Sequence, residues 1–259
     1  MKRFVWTLVT AGSLAAQTLS YVASVKSNNA VDARGLSEYS PGGRFTATAV
    51  TVASLIRTAY RIQGYQLVSA PGWFSTKRYD ISTKADESPA PTQQTLLRAL
   101  LKDQFKLVVH DETREMPVFA LVLARSDGRP GPKLVKSDFD CAAYAASAHP
   151  PPQPGGTPTC GARSNTGVFV GKAVAISQLA TSLGVFAGRF VIDKTGLAGS
   201  YDMDLAWTPD GAPDEAAGGG ADGPSLFTAL QEQLGLKLVP ERGPVNVLVV
   251  DRAAEPVPE

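Results

Sequence analysis

The chain has 259 residues and 44% of them are hydrophobic, which is enough to bury one large core or two smaller ones. A mostly disordered protein is therefore not expected. The 25 Lys and Arg residues almost balance the 24 Asp and Glu residues, so no strong field favours nucleic acid as a partner.

The N-terminus has the order of a secretory signal peptide. Lys2 and Arg3 come first, an apolar run follows over residues 4–11, and small residues then lead to Gln17. We predict a signal peptide over residues 1–16 and a secreted or periplasmic protein. An uncleaved anchor or a buried helix is the alternative, but the run is shorter than the roughly 20 residues that cross a bilayer. No other apolar run is longer, so we expect no membrane span in the mature chain.

Residues 17–127 are predicted to form a first α+β unit. An extra strand over residues 19–26 comes first and is expected to complete the edge of a sheet. A strand and a helix follow over residues 43–55, and another strand starts near residues 79–81. Apolar residues at helical spacing between residues 96 and 105 predict a second helix, with Thr92 as its N-cap. Residues 105–110 and 118–124 are predicted to form a hairpin around a polar turn.

Residues 128–166 are rich in proline, glycine and alanine and are predicted to be an irregular surface linker. The two cysteines of the chain, Cys141 and Cys160, both lie in it. In an oxidising compartment such a pair predicts a disulfide that closes the linker into a loop. Two free thiols are the alternative if the signal peptide is wrongly predicted.

Residues 167–252 are predicted to repeat the first unit, and residues 253–259 to form a flexible tail. Shifting the chain over itself aligns Gly43, Phe45, Ala49, Val50 and Leu55 with Gly167, Phe169, Ala173, Val174 and Leu179. A helix from Ser225 to a C-cap at Gly235 then leads to a second predicted hairpin, over residues 236–239 and 245–251. The predicted fold class is α+β, with two tandem diverged copies of a unit ordered strand-helix-strand-strand-helix-strand-strand. Coincidence among common α+β patterns is the alternative.

These segments resemble a soil-associated family of uncharacterised secreted proteins that is expanded in acidobacteria. The resemblance is carried by residues 22–26, 41–45, 71–73, 79–81, 105–110, 191–202 and 224–238. Its most specific part is the Ile-Asp-Lys-Thr-Gly-Leu core of residues 192–197. The resemblance implies a location outside the cytoplasm and supplies no catalytic residue. Some relatives join this domain to membrane-embedded sensor peptidases, which implies a sensing or binding role.

The sequence contains no complete motif for catalysis, a cofactor or a metal, so we predict none of these. With only two histidines, a transition-metal site is difficult to build. His110, followed by Asp111 and Glu112, has the composition of a general base beside carboxylates. The interpretation that we favour is that His110 simply ends a strand at a polar turn.

Two Tyr-Asp pairs recur at equivalent places in the predicted copies. Tyr79 and Asp80 are one pair, and Tyr201 and Asp202 are the other. One hypothesis makes them, together with Trp73, contacts for a ligand. The other places the tyrosines in the core, uses the aspartates to satisfy turns, and makes Trp73 a core or edge plug.

The sequence therefore predicts a non-enzymatic extracytoplasmic module that binds a protein, a peptide or a component of the cell envelope. An exposed strand edge is one place where such a partner would attach. The alternative function is a secreted hydrolase with an unrecognised carboxylate-based site.

Overall fold

A computed structural model describes residues 19–30, 35–86, 88–147, 159–209 and 223–256 of the protein. The strands are β1 (Tyr21–Asn28), β2 (Leu36–Ser40), β3 (Arg44–Thr51), β4 (Leu67–Val68), β5 (Arg78–Ala85), β6 (Val108–Leu123), β7 (Leu134–Lys136), β8 (Gly161–Asn165), β9 (Val168–Ala175), β10 (Val191–Asp193), β11 (Ser200–Ala206) and β12 (Leu236–Arg252). The helices are α1 (Val52–Tyr60), α2 (Trp73–Thr76), α3 (Gln93–Gln104), α4 (Cys141–Ala146), α5 (Ile176–Ala187) and α6 (Leu226–Ala229). This mixture confirms the predicted α+β class.

The chain divides into two compact units. Unit 1 consists of Met1–Ile62, Ser69–His110 and Val249–Glu259, and unit 2 consists of Gln63–Val68 and Asp111–Leu248. The predicted boundaries treated each unit as one continuous stretch. The structure instead gives each unit a segment from a distant part of the chain.

Unit 1 is built on an antiparallel sheet with the strand order β1-β5-β3-β2. Alternation along β5 buries Tyr79 and Ile81 and exposes Ser82 and Lys84, so one face of the sheet belongs to the core. Helices α1 and α3 pack against each other and supply buried leucines to this core. The side chain of Thr92 accepts from the N–H of Thr95, which confirms the predicted cap of α3. β1 lies at the edge of the sheet.

Unit 2 contains two sheets. The first has the order β7-β11-β9-β8 and is antiparallel, and the second has the order β10-β6-β12-β4. Helix α6 begins at its predicted cap, Ser225, and continues as a π turn over Leu230–Leu234 to Gly235, where φ is 65°. Buried residues of these elements form one core, which includes Phe119, Phe169, Leu179, Leu183, Leu205, Leu230, Leu234 and Leu236.

The two predicted hairpins are wrong. Each is a single long strand, β6 in one case and β12 in the other, and the two strands are neighbours in the second sheet of unit 2. The polar stretch that resembles a turn in β6 lies where the strand is exposed, and polar side chains suit such a position. Pro117 is tolerated because β10 pairs with β6 only over Phe119–Leu121, which leaves Pro117 outside that ladder.

The predicted irregular linker contains regular structure. Strands β7 and β8 and helix α4 all lie within residues 128–166, and the two strands form the edges of the first sheet of unit 2. Cys141 and Cys160 are joined in a disulfide with their Cα atoms 5.7 Å apart. The high proline and glycine content hid these strands because they are only three and five residues long.

The C-terminal tail is not free at residues 254 and 255. The N–H of Ala254 donates to the C=O of Phe105 at 2.7 Å, and Glu255 forms an ion pair with Lys77 at 2.6 Å. The predicted signal peptide and the last three residues lie outside the described residues. Over the part of the chain that the structure describes, no helix has the length and apolar character that a membrane crossing requires.

Candidate functional site

Asp80 holds a bulge in the sheet of unit 1. Its Oδ1 accepts from the backbone N–H of Ala49 at 2.9 Å and from Nδ2 of Asn28 at 2.8 Å. Ala49 has φ of 53°, and the β3–β5 register shifts between Ala47 and Val50. A left-handed alanine is costly, so the carboxylate stabilises a strained residue and satisfies its N–H.

Asp202 has the same role in unit 2. Its Oδ1 accepts from the N–H of Ala173 at 2.9 Å, and Ala173 also has φ of 53°. The other carboxylate oxygen pairs with Lys172. Ala49 and Ala173 are residues that the shift of the sequence aligns, so the same local geometry occurs at both positions.

Both carboxyl groups are held ionised. For Asp80, the hydrogen bonds from Asn28 and from the Ala49 N–H lower the pKa, and burial opposes them only weakly. For Asp202, burial acts to raise the pKa, but hydrogen bonds from Lys172, Ser137 and the Ala173 N–H together outweigh it, so the pKa is lowered. The charge of each aspartate is therefore engaged by groups of its own unit.

The aromatic members of the predicted ligand contacts point inward or pack on the core. Tyr79 is 2% exposed, and its ring meets that of Phe105 edge to face at 5.2 Å. Trp73 is half-buried and stacks on the same Phe105 at 6.4 Å. In unit 2, Tyr201 is 6% exposed and its hydroxyl donates to the C=O of Ala198 at 3.4 Å. Core packing and the bulges account for the positions of all five predicted residues.

His110 has a carboxylate partner that the sequence did not indicate. Its Nδ1 lies 2.9 and 3.0 Å from the two carboxylate oxygens of Asp251, and both side chains are about half exposed. Asp111 and Glu112 follow His110 in the chain, but Asp251 comes from β12, 141 positions away. No local motif could reveal that pair, because the pairing of β6 and β12 creates it.

Metal ligands do not gather in the described regions. Across residues 19–30, 35–86, 88–147, 159–209 and 223–256, no group of three or more His, Cys, Asp and Glu side chains is placed to hold an ion. The structure therefore offers no metal centre within these ranges on which to build a mechanism.

The outer edge of β2 presents backbone groups to solvent. The N–H of Ala85 donates to the C=O of Gly43 at 2.9 Å, which fixes the side of β3 that faces β5. Because successive residues alternate, Arg44, Thr46 and Thr48 then face β2, opposite Ser40, Glu38 and Leu36. The N–H and C=O groups of Ser37 and Tyr39 are left on the outer edge. Within the described residues no strand pairs with that edge.

A family model described as "Protein of unknown function (DUF3738)" matches residues 53–253. The chain belongs to this family. No curated protein and no solved structure matches it. The DUF3738 match includes Trp73, both Tyr-Asp pairs and the His110–Asp251 pair, whereas β1 and β2 precede it.

Membership of the DUF3738 family gives no activity to carry over to this chain. In unit 2, β8 is likewise an edge strand that forms a hairpin with the next strand. β8 lies inside the DUF3738 match. Among the described residues, no strand pairs with the outer edge of β8 either.

Proposed function

We propose that the protein is a non-enzymatic extracytoplasmic module that binds a protein or peptide by adding an extended segment to the outer edge of β2. The observation that supports this proposal most strongly is the open edge itself, with the backbone groups of Ser37 and Tyr39 unpaired within the described residues. An unpaired edge strand is a template for another strand. Natural proteins usually block such an edge with lysine, proline or a covering segment, and β2 contains neither lysine nor proline.

Side chains beside this edge favour a partner with an apolar residue at one end and an acidic residue at the other, while the exposed Glu38 disfavours an acid at the centre. Leu36 is 71% exposed at one end of β2 and offers an apolar contact. Arg44 lies opposite Ser40 at the other end and has no carboxylate partner among the described residues. In strand addition the backbone bonds provide affinity, and alternate side chains such as these provide specificity.

A location outside the cytoplasm is part of the same proposal. The Cys141–Cys160 disulfide supports it, because such bonds persist mainly in oxidising compartments. The order of charge, apolar run and small residues over residues 1–16 supports it as well. The proposal also includes that the family is soil-associated and expanded in acidobacteria, as the resemblance implies.

Selection of linear peptides by display on the purified protein tests the proposal. We expect the selected peptides to contain acidic residues and to slow hydrogen exchange at the amides of Ser37 and Tyr39. Ser37→Pro removes an outward N–H without removing a bond to β3, so it should weaken peptide binding by about tenfold. Ser37→Ala keeps that N–H and should bind like the natural chain.

Both the peptide selection and the hydrogen-exchange measurement can contradict the proposal. Selected peptides that leave both amides unprotected bind elsewhere, and a selection that yields no binder removes the proposal altogether. If Ser37→Pro lowers the urea midpoint of the free protein, its weaker binding reflects lost stability. The protection of the Ser37 and Tyr39 amides in the natural chain then tests the proposal.

The hydrolase hypothesis is tested separately, with the His110–Asp251 pair as its reference. A panel of ester, peptide and glycoside substrates is incubated with the natural protein and with His110→Gln and Asp251→Asn variants. Turnover that both substitutions abolish would replace the binding proposal with an enzymatic function.

A further inference from the structure

A groove in unit 1 combines positive charge with an apolar floor. It has a volume of about 540 Å³ and lies where the C-terminal half of α3 meets the first residues of β6 and the last residue of β12. This volume falls within the range of small-molecule sites, about 300–1,000 Å³. The groove is separate from the edge of β2.

Arg98 is fixed at the wall of this groove. Its Nε donates to the C=O of Ala59 at 2.9 Å, and its guanidinium carbon lies 4.7 Å from the centre of the Tyr60 ring. The hydrogen bond and the ring contact orient the guanidinium and use only one of its five N–H donors. The other four have no carboxylate partner among the described residues.

Three further cations line the groove. Lys102 and Arg252 form no ion pair with any described residue, and Nζ of Lys106 donates only to the C=O of Asp103, at 2.7 Å. The Asp103 carboxylate accepts from the hydroxyl of Tyr21 at 2.8 Å, and among the described residues it forms no ion pair with these cations. Among the described residues, no acidic side chain lines the groove.

The surrounding unit strengthens this positive field. Among the described residues of unit 1, Lys and Arg outnumber Asp and Glu by nearly two to one, whereas in unit 2 the two classes are equal in number. The near-neutral charge of the whole chain therefore conceals a basic unit. A cleft lined by one sign of charge concentrates ligands of the opposite sign.

The floor of the groove is apolar. Leu107 is buried, Val109 is half-buried, and Val108 leaves 41% of its surface exposed. Val108 and Val109 begin β6 and Leu107 directly precedes it, so the sheet sets the positions of the two valines. A ligand that carried only charge would leave this apolar surface in water.

We infer that this groove binds a single amphiphilic molecule that carries a phosphate group and a short apolar chain. Phosphate suits the site because its several anionic oxygens accept from Arg98 and from the neighbouring lysines at once. The apolar chain covers Val108 and Val109 and gains about 25 cal/mol for each Å² of surface removed from water. Free phosphate shares the first interaction and lacks the second.

Calorimetric titration of the full chain with dihexanoyl phosphatidic acid, at concentrations where it is monomeric, tests this inference. We expect binding of one molecule per chain, at least about tenfold tighter than inorganic phosphate or dihexanoyl phosphatidylcholine. The double variant Lys102→Glu, Arg252→Glu should weaken this binding at least tenfold. The control Lys84→Glu, Lys136→Glu changes the net charge equally at residues that do not line the groove, and it should leave the affinity within about twofold.

A second variant separates the apolar contribution from the charge. Val108→Asn keeps all four cations, so it should reduce the preference for the amphiphile over inorganic phosphate and leave phosphate binding unchanged. Equal weakening by the groove and control variants would overturn the inference, since it would show a diffuse charge effect. So would binding to vesicles of phosphatidylglycerol without binding to the monomeric lipid, because a membrane surface and not the groove would then be the ligand.

Discussion

In each unit one aspartate accepts a hydrogen bond from a strained backbone residue. For Asp80, this makes the stability of the folded protein depend on pH. The pKa of Asp80 is lowered in the folded protein, so the unfolded chain binds more protons. Its contribution to stability is therefore complete well above the unfolded pKa of about 3.9 and is lost as the pH falls through the folded pKa.

Asp80→Asn keeps an acceptor for the Ala49 N–H and removes the charge. We expect it to lower the free energy of unfolding by about 1 kcal/mol at pH 7. The difference from the natural protein should shrink as the pH falls below about 4, where Asp80 is protonated first in the unfolded chain, and should disappear below the lowered folded pKa. Urea unfolding at a series of pH values measures this, and a difference that is constant with pH would contradict the role of the charge.

Thr83 carries a buried polar atom that lacks a partner. It is 2% exposed, and its Oγ1 has no hydrogen bond among the described residues. Desolvation of a hydroxyl without compensation is unfavourable, and valine has nearly the same shape.

Thr83→Val should therefore stabilise the protein by about 1 kcal/mol. Thr46→Val, on the exposed face of the neighbouring strand, is the matched control and should change stability by less than about 0.5 kcal/mol. Thermal unfolding distinguishes the two, and a Thr83→Val protein that is less stable than the natural one would show that the hydroxyl has a partner.

For single residues, the sequence predicts the positions of side chains better than it predicts backbone conformation. The recurrence of Tyr79–Asp80 and Tyr201–Asp202 is visible in the sequence, and so are the caps at Thr92 and Ser225. The positive φ of Ala49 and Ala173 is not, because alanine carries no signal for that conformation. The function of the aspartates at the bulges could therefore not be predicted, although their repetition could.

At the level of secondary structure, the helix that begins as α6 and ends at Gly235 depends on a close contact between Gly131 and Gly235. A Cβ added to Gly131 would lie 2.4 Å from the N atom of Gly235, and the N–H of Gly131 donates to the C=O of Leu234 at 2.8 Å. The atoms in the way belong to the backbone, so no side chain can move aside to relieve the contact.

Gly131→Ala should lower the free energy of unfolding by about 2 kcal/mol or more. Gly72→Ala provides the control, because φ there is −56° and nothing lies within 4 Å of the added Cβ. Gly72→Ala should leave the free energy of unfolding almost unchanged. Equal urea midpoints for the two variants would show that the π turn shifts without cost.

The long strands β6 and β12 explain why the two predicted hairpins are wrong. Helical periodicity is local, and α3 and the helix that ends at Gly235 were predicted close to their observed limits. The pairing of β6 with β12 is a contact between distant residues, such as Thr113 with Asn246 at 2.8 Å, and no local pattern records it. Charged residues near 111–115 therefore resembled a turn, although they lie on an exposed part of a strand.

For the molecule as a whole, the disulfide makes the most direct prediction. It joins residues 19 positions apart, and a crosslink over such a loop stabilises a protein by about 3 kcal/mol. Replacing both Cys141 and Cys160 with serine should lower the urea midpoint accordingly. Intact mass with and without reductant checks that the bond is present, and an unchanged midpoint in the serine variant would contradict its contribution.

Duplication of one unit remains a proposal, which several observations support. The sheets β1-β5-β3-β2 and β7-β11-β9-β8 have the same chain order, and each has a bulge held by an aspartate. The sequence indicates two similar stretches, each continuous along the chain. It could not show that residues 63–68 and 111–127 belong to unit 2, since membership of a unit depends on tertiary contacts.

The composition of unit 1 also sets the order in which the protein can mature. Its fold includes the segment that begins at Val249, which the ribosome adds after every residue of unit 2. Unit 1 therefore cannot reach its final form before all residues of unit 2 have been synthesised. Although unit 1 contains the earlier part of the chain, it is the later of the two units to be completed.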